Sequence, residues 1–288
     1  MPSFPVSIAA LSVFQALLVL LPRARSPFGW MPSSRWWALV PAGSIVVVVF
    51  GIEALPDSAE ALAWLALVAV PPLAAFALGS LLHGSRPTWA LAAVPLFVVA
   101  WTAQGSLAGE TAAALLSGLS CIALGWLLVC VVPAVWLRWG IYTMAAIDAA
   151  LIAAELLQGP SGVLSAADPG GLPRFQVLEF GASRMGFGDA FVAATAGCLL
   201  ALPTDGPNPV DIRPLSSRRR QLEGAALVAV VGLGFDLLFF VLDTLPATVP
   251  VAVALALVEF RERRRSAWVA QEGDAVDRGK AGDRENDA

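Results

Sequence analysis

Four acidic side chains stand inside apolar runs, away from their ends: Asp148, Glu155, Asp189 and Asp236. A carboxylate in hydrocarbon costs about 2.5–3.5 kcal/mol on insertion scales, so an acid kept there points to a function. Asp189 follows two glycines in Gly186-Phe187-Gly188-Asp189, and glycine removes side-chain bulk where another backbone must come close. Asp148 lies in the middle of an otherwise apolar stretch, Ile141 to Ile152. Two carboxylates brought to one site cannot both ionise easily and hold one proton between them. The ionised partner can take a proton from water while the protonated one polarises a carbonyl. That is peptide hydrolysis by a pair of aspartates. It calls for no cofactor, metal or nucleophilic side chain.

The elements that must carry these acids are apolar segments. The chain is 58% apolar and 14% charged, against roughly 45–50% and about 25% in soluble domains. Its mean hydropathy is +0.74. Nine segments can be marked, at 5–22, 35–56, 60–82, 87–104, 111–134, 139–158, 180–203, 222–243 and 245–260. A spanning helix needs about 20 residues, so eight fit and the last is short. It opens Leu245-Pro246-Ala247-Thr248-Val249-Pro250, which predicts non-helical backbone at membrane depth, tolerated only against protein or a wet cavity.

Arginines fall on alternate sides of these crossings: Arg23, Arg25, Arg35, Arg86, Arg138, Arg213, Arg218 to Arg220 and Arg261 to Arg265, interrupted by Glu262. The opposite loops hold Glu53, Asp57, Glu60, Glu110, Asp168, Glu179 and Asp243, with Arg174 and Arg184 as their positives. The positive-inside bias predicts the N-terminus outside and the C-terminus cytoplasmic. Trp30, Trp36, Trp37, Trp136, Trp139 and Trp268 fit an interfacial belt on the cytoplasmic side. The first segment has no positive n-region before it, so it reads as an uncleaved helix. From Gln271 onward the chain is polar and charged and should be disordered.

Depth tests whether the acids can meet. Segment six runs inside to outside, and Asp148, ten residues past Arg138, lies about 15 Å in. Segment seven runs back, with Asp189 fourteen residues before Pro203, about 21 Å from that end. Both reach the central bilayer on adjacent antiparallel helices. Glu155 shares the face of Asp148 about 10 Å nearer the outer surface. Glu155 and Asp236 read as structural or as lining a water path. Cys121, Cys130 and Cys198 sit in apolar runs as packing residues, and His83 reads as a solvated loop residue, leaving no metal site.

At these residues the chain resembles the presenilin and signal peptide peptidase family of GxGD intramembrane aspartyl proteases. Gly186-Phe187-Gly188-Asp189 is similar to its GxGD motif in helix seven, Asp148 to its helix-six aspartate, and Pro246-Ala247 to the PAL motif that opens helix nine. The likeness covers residues 139–260 by motif and 1–138 by segment count. Ile147 stands where the family has tyrosine before the first aspartate, Tyr142 lying six residues ahead of Asp148. Thr248 stands where PAL has leucine, and either Pro246 or Pro250 takes the PAL role.

The resemblance implies an all-α, nine-helix membrane protein with Asp148 and Asp189 catalytic. Gly186, Phe187, Gly188, Pro246, Ala247 and Pro250 would shape the active-site backbone. Its division would be 1–158, carrying the first aspartate; 159–179, a connecting loop; 180–265, with the GxGD and PAL-like motifs; and 266–288, a polar tail. Substrates would be single-span membrane proteins or signal peptides of type II orientation, held by strand addition, in a bilayer and without nucleic acid. Other readings use the same acids. A secondary transporter would relay protons through them, but it predicts matched broken helices in a repeat, which the sequence lacks. A prepilin peptidase carries a GxGD-type aspartate with Lys soon after it, where Ala190-Phe191 follows here. A non-catalytic scaffold sharing the fold is a further reading.

Overall fold

A computed structural model describes residues 3–23, 34, 58–153, 169–202, 214–237 and 246–265. The chain is mostly helical. Its elements are α1 (Phe4–Leu20), α2 (Ser58–Phe76), α3 (Ala93–Thr102), α4 (Leu107–Val131), α5 (Ala134–Ala153), β1 (Val177–Phe180), β2 (Ser183–Gly186), α6 (Phe187–Ala201), α7 (Pro214–Asp236) and α8 (248–265). Segment two, Glu155, the first part of the loop after it (159–168) and the tail lie outside the described residues.

Two of these helices are long and apolar enough to cross a membrane, Ala59–Leu81 and Leu107–Val131. The first includes α2 and a π-helical turn, Ala77–Leu81, that follows Pro71 and Pro72. A proline inside a helix deletes one backbone bond and pushes on the preceding turn, and here Ser80 Oγ donates to Phe76 O at 2.7 Å within the widened turn. Ser106 caps α4, its Oγ accepting from Gly109 N–H at 3.2 Å.

Helix α6 is the core element. Ala190 and every residue from Val192 to Ala201 are buried. Small residues let it sink between its neighbours. A Cβ added at Gly197 would come within 2.7 Å of Val19 Cα on α1, and one at Gly125 within 3.2 Å of Thr195 Cα. Close backbone approach through glycine and alanine is how apolar helices pack when no hydrophobic force separates them from lipid. Helix α7 lies along α1. Helix α5 turns Leu137, Ile141 and Ala145 inward and leaves Val135, Trp136, Trp139 and Ile147 exposed.

Helix α6 is only 15 residues long, about 22 Å against the ~30 Å of a hydrocarbon core. The expected segment 180–203 is therefore not one helix, and the expected loop 159–179 ends in a strand. An antiparallel hairpin precedes α6, pairing Val177 with Gly186, Leu178 with Met185, Glu179 with Arg184 and Phe180 with Ser183. Gly181 turns it with φ of 59°, a value that suits glycine at a two-residue hairpin turn. Glu179 opposes Arg184 across the strands, at 3.0 Å. The turn is pinned to the helices: Gly181 N–H donates to Glu110 Oε2 at 2.7 Å, and Ala182 N–H to Ser7 Oγ at 3.2 Å. Leu178, Ser183 and Met185 are buried against the helices, while Arg184 and Gly186 on the other face of the hairpin are exposed. All-α thus holds for the bulk of the chain with a two-stranded exception. Likewise α7 begins at Pro214, inside what composition gave to a loop.

Candidate functional site

Asp189 is the third residue of α6, immediately after the hairpin. Its Oδ2 accepts the Gly186 N–H at 3.2 Å, so the carboxylate reaches back over the helix start as an acid at this position does in a capping box. Gly186 has φ −67° and ψ 147°, ordinary extended values, so backbone freedom is not why glycine stands there. Space is. A Cβ at Gly186 would press on Asp189 Oδ2 at 3.1 Å. Gly188 is exposed, and an added Cβ would have no neighbour within 4 Å among the described surroundings. Phe187 is half-buried, its carbonyl 3.9 Å from Cys121 Sγ.

Asp148 is three residues beyond Ala145 on the inward stripe of α5. Thr248 Oγ1 donates to its Oδ2 at 2.7 Å. Two more contacts tie α5 to α8: Arg138 Nε to Glu259 Oε1 at 2.8 Å and Tyr142 OH to Glu259 Oε2 at 3.2 Å. Helices α5 and α6 touch, so the two aspartates singled out from sequence stand on neighbouring elements.

Pro246 and Pro250 bracket the start of α8. Val249 N–H turns back to Pro246 O at 3.2 Å, and Gln15 Nε2 of α1 donates to Ala247 O at 3.2 Å. A cavity of about 130 Å³ lies here. Gly186, Asp189, Pro246, Ala247 and Pro250 line it together with Ser12, Gln15 and Asp236. Asp148, Phe187 and Gly188 do not. Asp236 accepts from Ser12 Oγ at 2.8 Å.

Sequence reasoning missed Thr248, Ser12 and Gln15. Thr248 had a signal, a hydroxyl where the motif has an aliphatic residue. Ser12 and Gln15 were legible only as polar residues in an apolar first segment. No group of three or more metal-ligating side chains gathers among the described residues. Cys121, Cys130 and Cys198 form no disulfide among the described residues. No protein-family model, curated protein or solved structure matches the chain.

Proposed function

We propose that the chain is an intramembrane aspartyl protease of the presenilin and signal peptide peptidase type, with Asp148 and Asp189 as its dyad. The observation that carries this is the placement of two acids on helices in contact, Asp189 lining a cavity bounded by a hairpin and a proline-bracketed turn. Two carboxylates so placed share a proton. The ionised one takes a proton from water as that water attacks the scissile carbonyl, while the protonated one donates to the carbonyl oxygen. Collapse of the tetrahedral adduct then breaks the C–N bond, and the leaving nitrogen receives a proton from the dyad. The hairpin gives an unwound substrate segment a strand to pair with.

The wider frame belongs to the same proposal. Nine crossings with the N-terminus outside follow from the arginine bias. An active site that receives its substrate as an added strand has a direction, and this orientation favours segments whose own N-terminus is cytoplasmic, such as remnant signal peptides. The test is purified protein incubated with single-span peptides of either orientation, with the products weighed. Cleavage by the wild type, lost in Asp148→Asn and in Asp189→Asn, is the expected result. Near-normal turnover in either variant removes that residue from the dyad. Efficient cleavage of N-out segments alone overturns the orientation.

A further inference from the structure

The cavity beside Asp189 has a second polar wall that peptide hydrolysis does not use. Asp236 on α7 and Ser12 and Gln15 on α1 project into it among Ile8, Leu11 and Phe235. Gly232, one turn before Asp236, keeps the space open, since a Cβ there would already touch Ser12 at 3.4 Å. The wall is built rather than incidental. Gln15 is 3% exposed and Ser12 8% exposed, inside an apolar core. An acid in such surroundings costs several kcal/mol unless something meets it. Among the described residues no cation pairs with Asp236, and Ser12 is its hydrogen-bond partner.

The donors on this wall are largely committed. Ser12 spends its hydroxyl hydrogen on Asp236 Oδ2, and Gln15 one of its two amide hydrogens on Ala247 O. What remains is mainly acceptor capacity, the second oxygen of Asp236 and the lone pairs of Ser12 Oγ, beside one amide hydrogen of Gln15. A ligand complementary to this wall brings a hydrogen-bond donor on a small stem.

Resting on the protease reading, we infer that Asp236, Ser12 and Gln15 form a specificity pocket for a substrate side chain that donates a hydrogen bond close to the scissile bond. Serine, threonine and asparagine fit that chemistry, and valine, leucine and alanine do not. An apolar pocket separates residues by one methylene only weakly, whereas a pocket with buried acceptors rejects a side chain that leaves them unpaired. The polar positions of a transmembrane substrate would then select where it is cut.

The experiment uses matched peptides carrying threonine or the isosteric valine at each of the positions flanking the cleaved bond. Wild-type protein should prefer threonine at one position by about tenfold or more in kcat/KM. The preference should fall toward unity in Asp236→Leu and be reduced in Ser12→Ala, which keeps the test alive if the first variant fails to fold. An equal preference in wild type and both variants, or none in wild type, overturns the pocket. The same peptides are also titrated for binding to Asp189→Asn by fluorescence in detergent, where the threonine peptide should again bind more tightly. If wild type cleaves neither peptide, the protease reading fails, and the binding ratio alone decides the pocket: equal affinities overturn it.

Discussion

Thr248 Oγ1 holds Asp148 Oδ2 at 2.7 Å, joining α8 to the acid of α5. Threonine inside a helix commonly turns its hydroxyl back to the carbonyl four residues earlier. Thr248 opens α8 and turns its hydroxyl across to α5 instead. It is 4% exposed, which keeps water from competing. Thr248 is a positioning residue. Thr248→Val keeps the shape and loses the donor, and hydrogen bonds to charged groups are worth about 1.5–3 kcal/mol. We expect kcat to fall about ten- to a hundredfold with KM little changed, and Thr248→Ser to restore most of it. A fall of equal size in the serine variant would make packing the cause.

Asp189 has a second task that separates two substitutions. Its Oδ2 accepts the Gly186 N–H, and an asparagine carbonyl oxygen can do the same. Asp189→Asn should therefore lose cleavage and keep its thermal stability in detergent. Asp189→Ala should lose cleavage and about 1 kcal/mol of stability as well. Equal melting temperatures for the two would argue that the cap contributes nothing.

The two glycines of the motif should behave differently. Alanine at Gly186 pushes on the Asp189 carboxylate at 3.1 Å, so kcat should drop severalfold. Alanine at Gly188 meets nothing in the free protein, so folding should be unaffected. If a substrate strand lies against it, KM should rise. Steady-state kinetics on the two variants separates these effects, and an unaltered KM in Gly188→Ala places the substrate elsewhere.

Pro246 precedes α8 and Pro250 sits in its first turn, where proline fixes φ and offers no N–H. Replacing both with alanine should lower cleavage severalfold while the aspartates remain competent. Unchanged activity in the double variant would make the likeness to the PAL motif accidental.

His83, just past the helix that ends at Leu81, provides a pH dependence. Partial burial lowers its pKa below 6.5, and Arg218 and Arg23 add to that, against the Leu21 carbonyl. Below pH 6.5 the unfolded chain takes up a proton that the folded chain resists, so stability falls as pH drops through that window and is level above it. Melting temperatures measured from pH 7.5 to 5 should decline in wild type and decline less in His83→Asn. Parallel curves would show that other groups set the acid limb.

The helices at 4–20, 58–81 and 107–131 were legible as apolar runs of the right length, and the acids as expensive residues within them. The hairpin was not. Phe180 to Met185 is apolar enough to continue either a strand or a helix, and a short run cannot settle the period. The turn at Gly181 is fixed by Glu110, 71 residues earlier, a partner that no local pattern reveals. Ser12 and Asp236 are separated by 224 residues. The acids themselves could be found from local cost, whereas the groups that surround them are a property of the packed chain.

The glycines that let α6 sink into the core also remove its freedom to move. With Val19 against Gly197 and Thr195 against Gly125, backbone touches backbone on two sides, and neither sliding nor rolling is possible without a clash. In the proposed dyad Asp189 is therefore the stationary jaw of a vice. Asp148 is the other jaw, carried on a helix that touches α6 at few points and is tied to α8 by polar contacts. Any change in the distance between the two acids of that dyad would then arise on the Asp148 side. A lesion on that side can leave the jaws apart in a chain that is fully folded, while one at Gly197 or Gly125 has no route except to loosen the core.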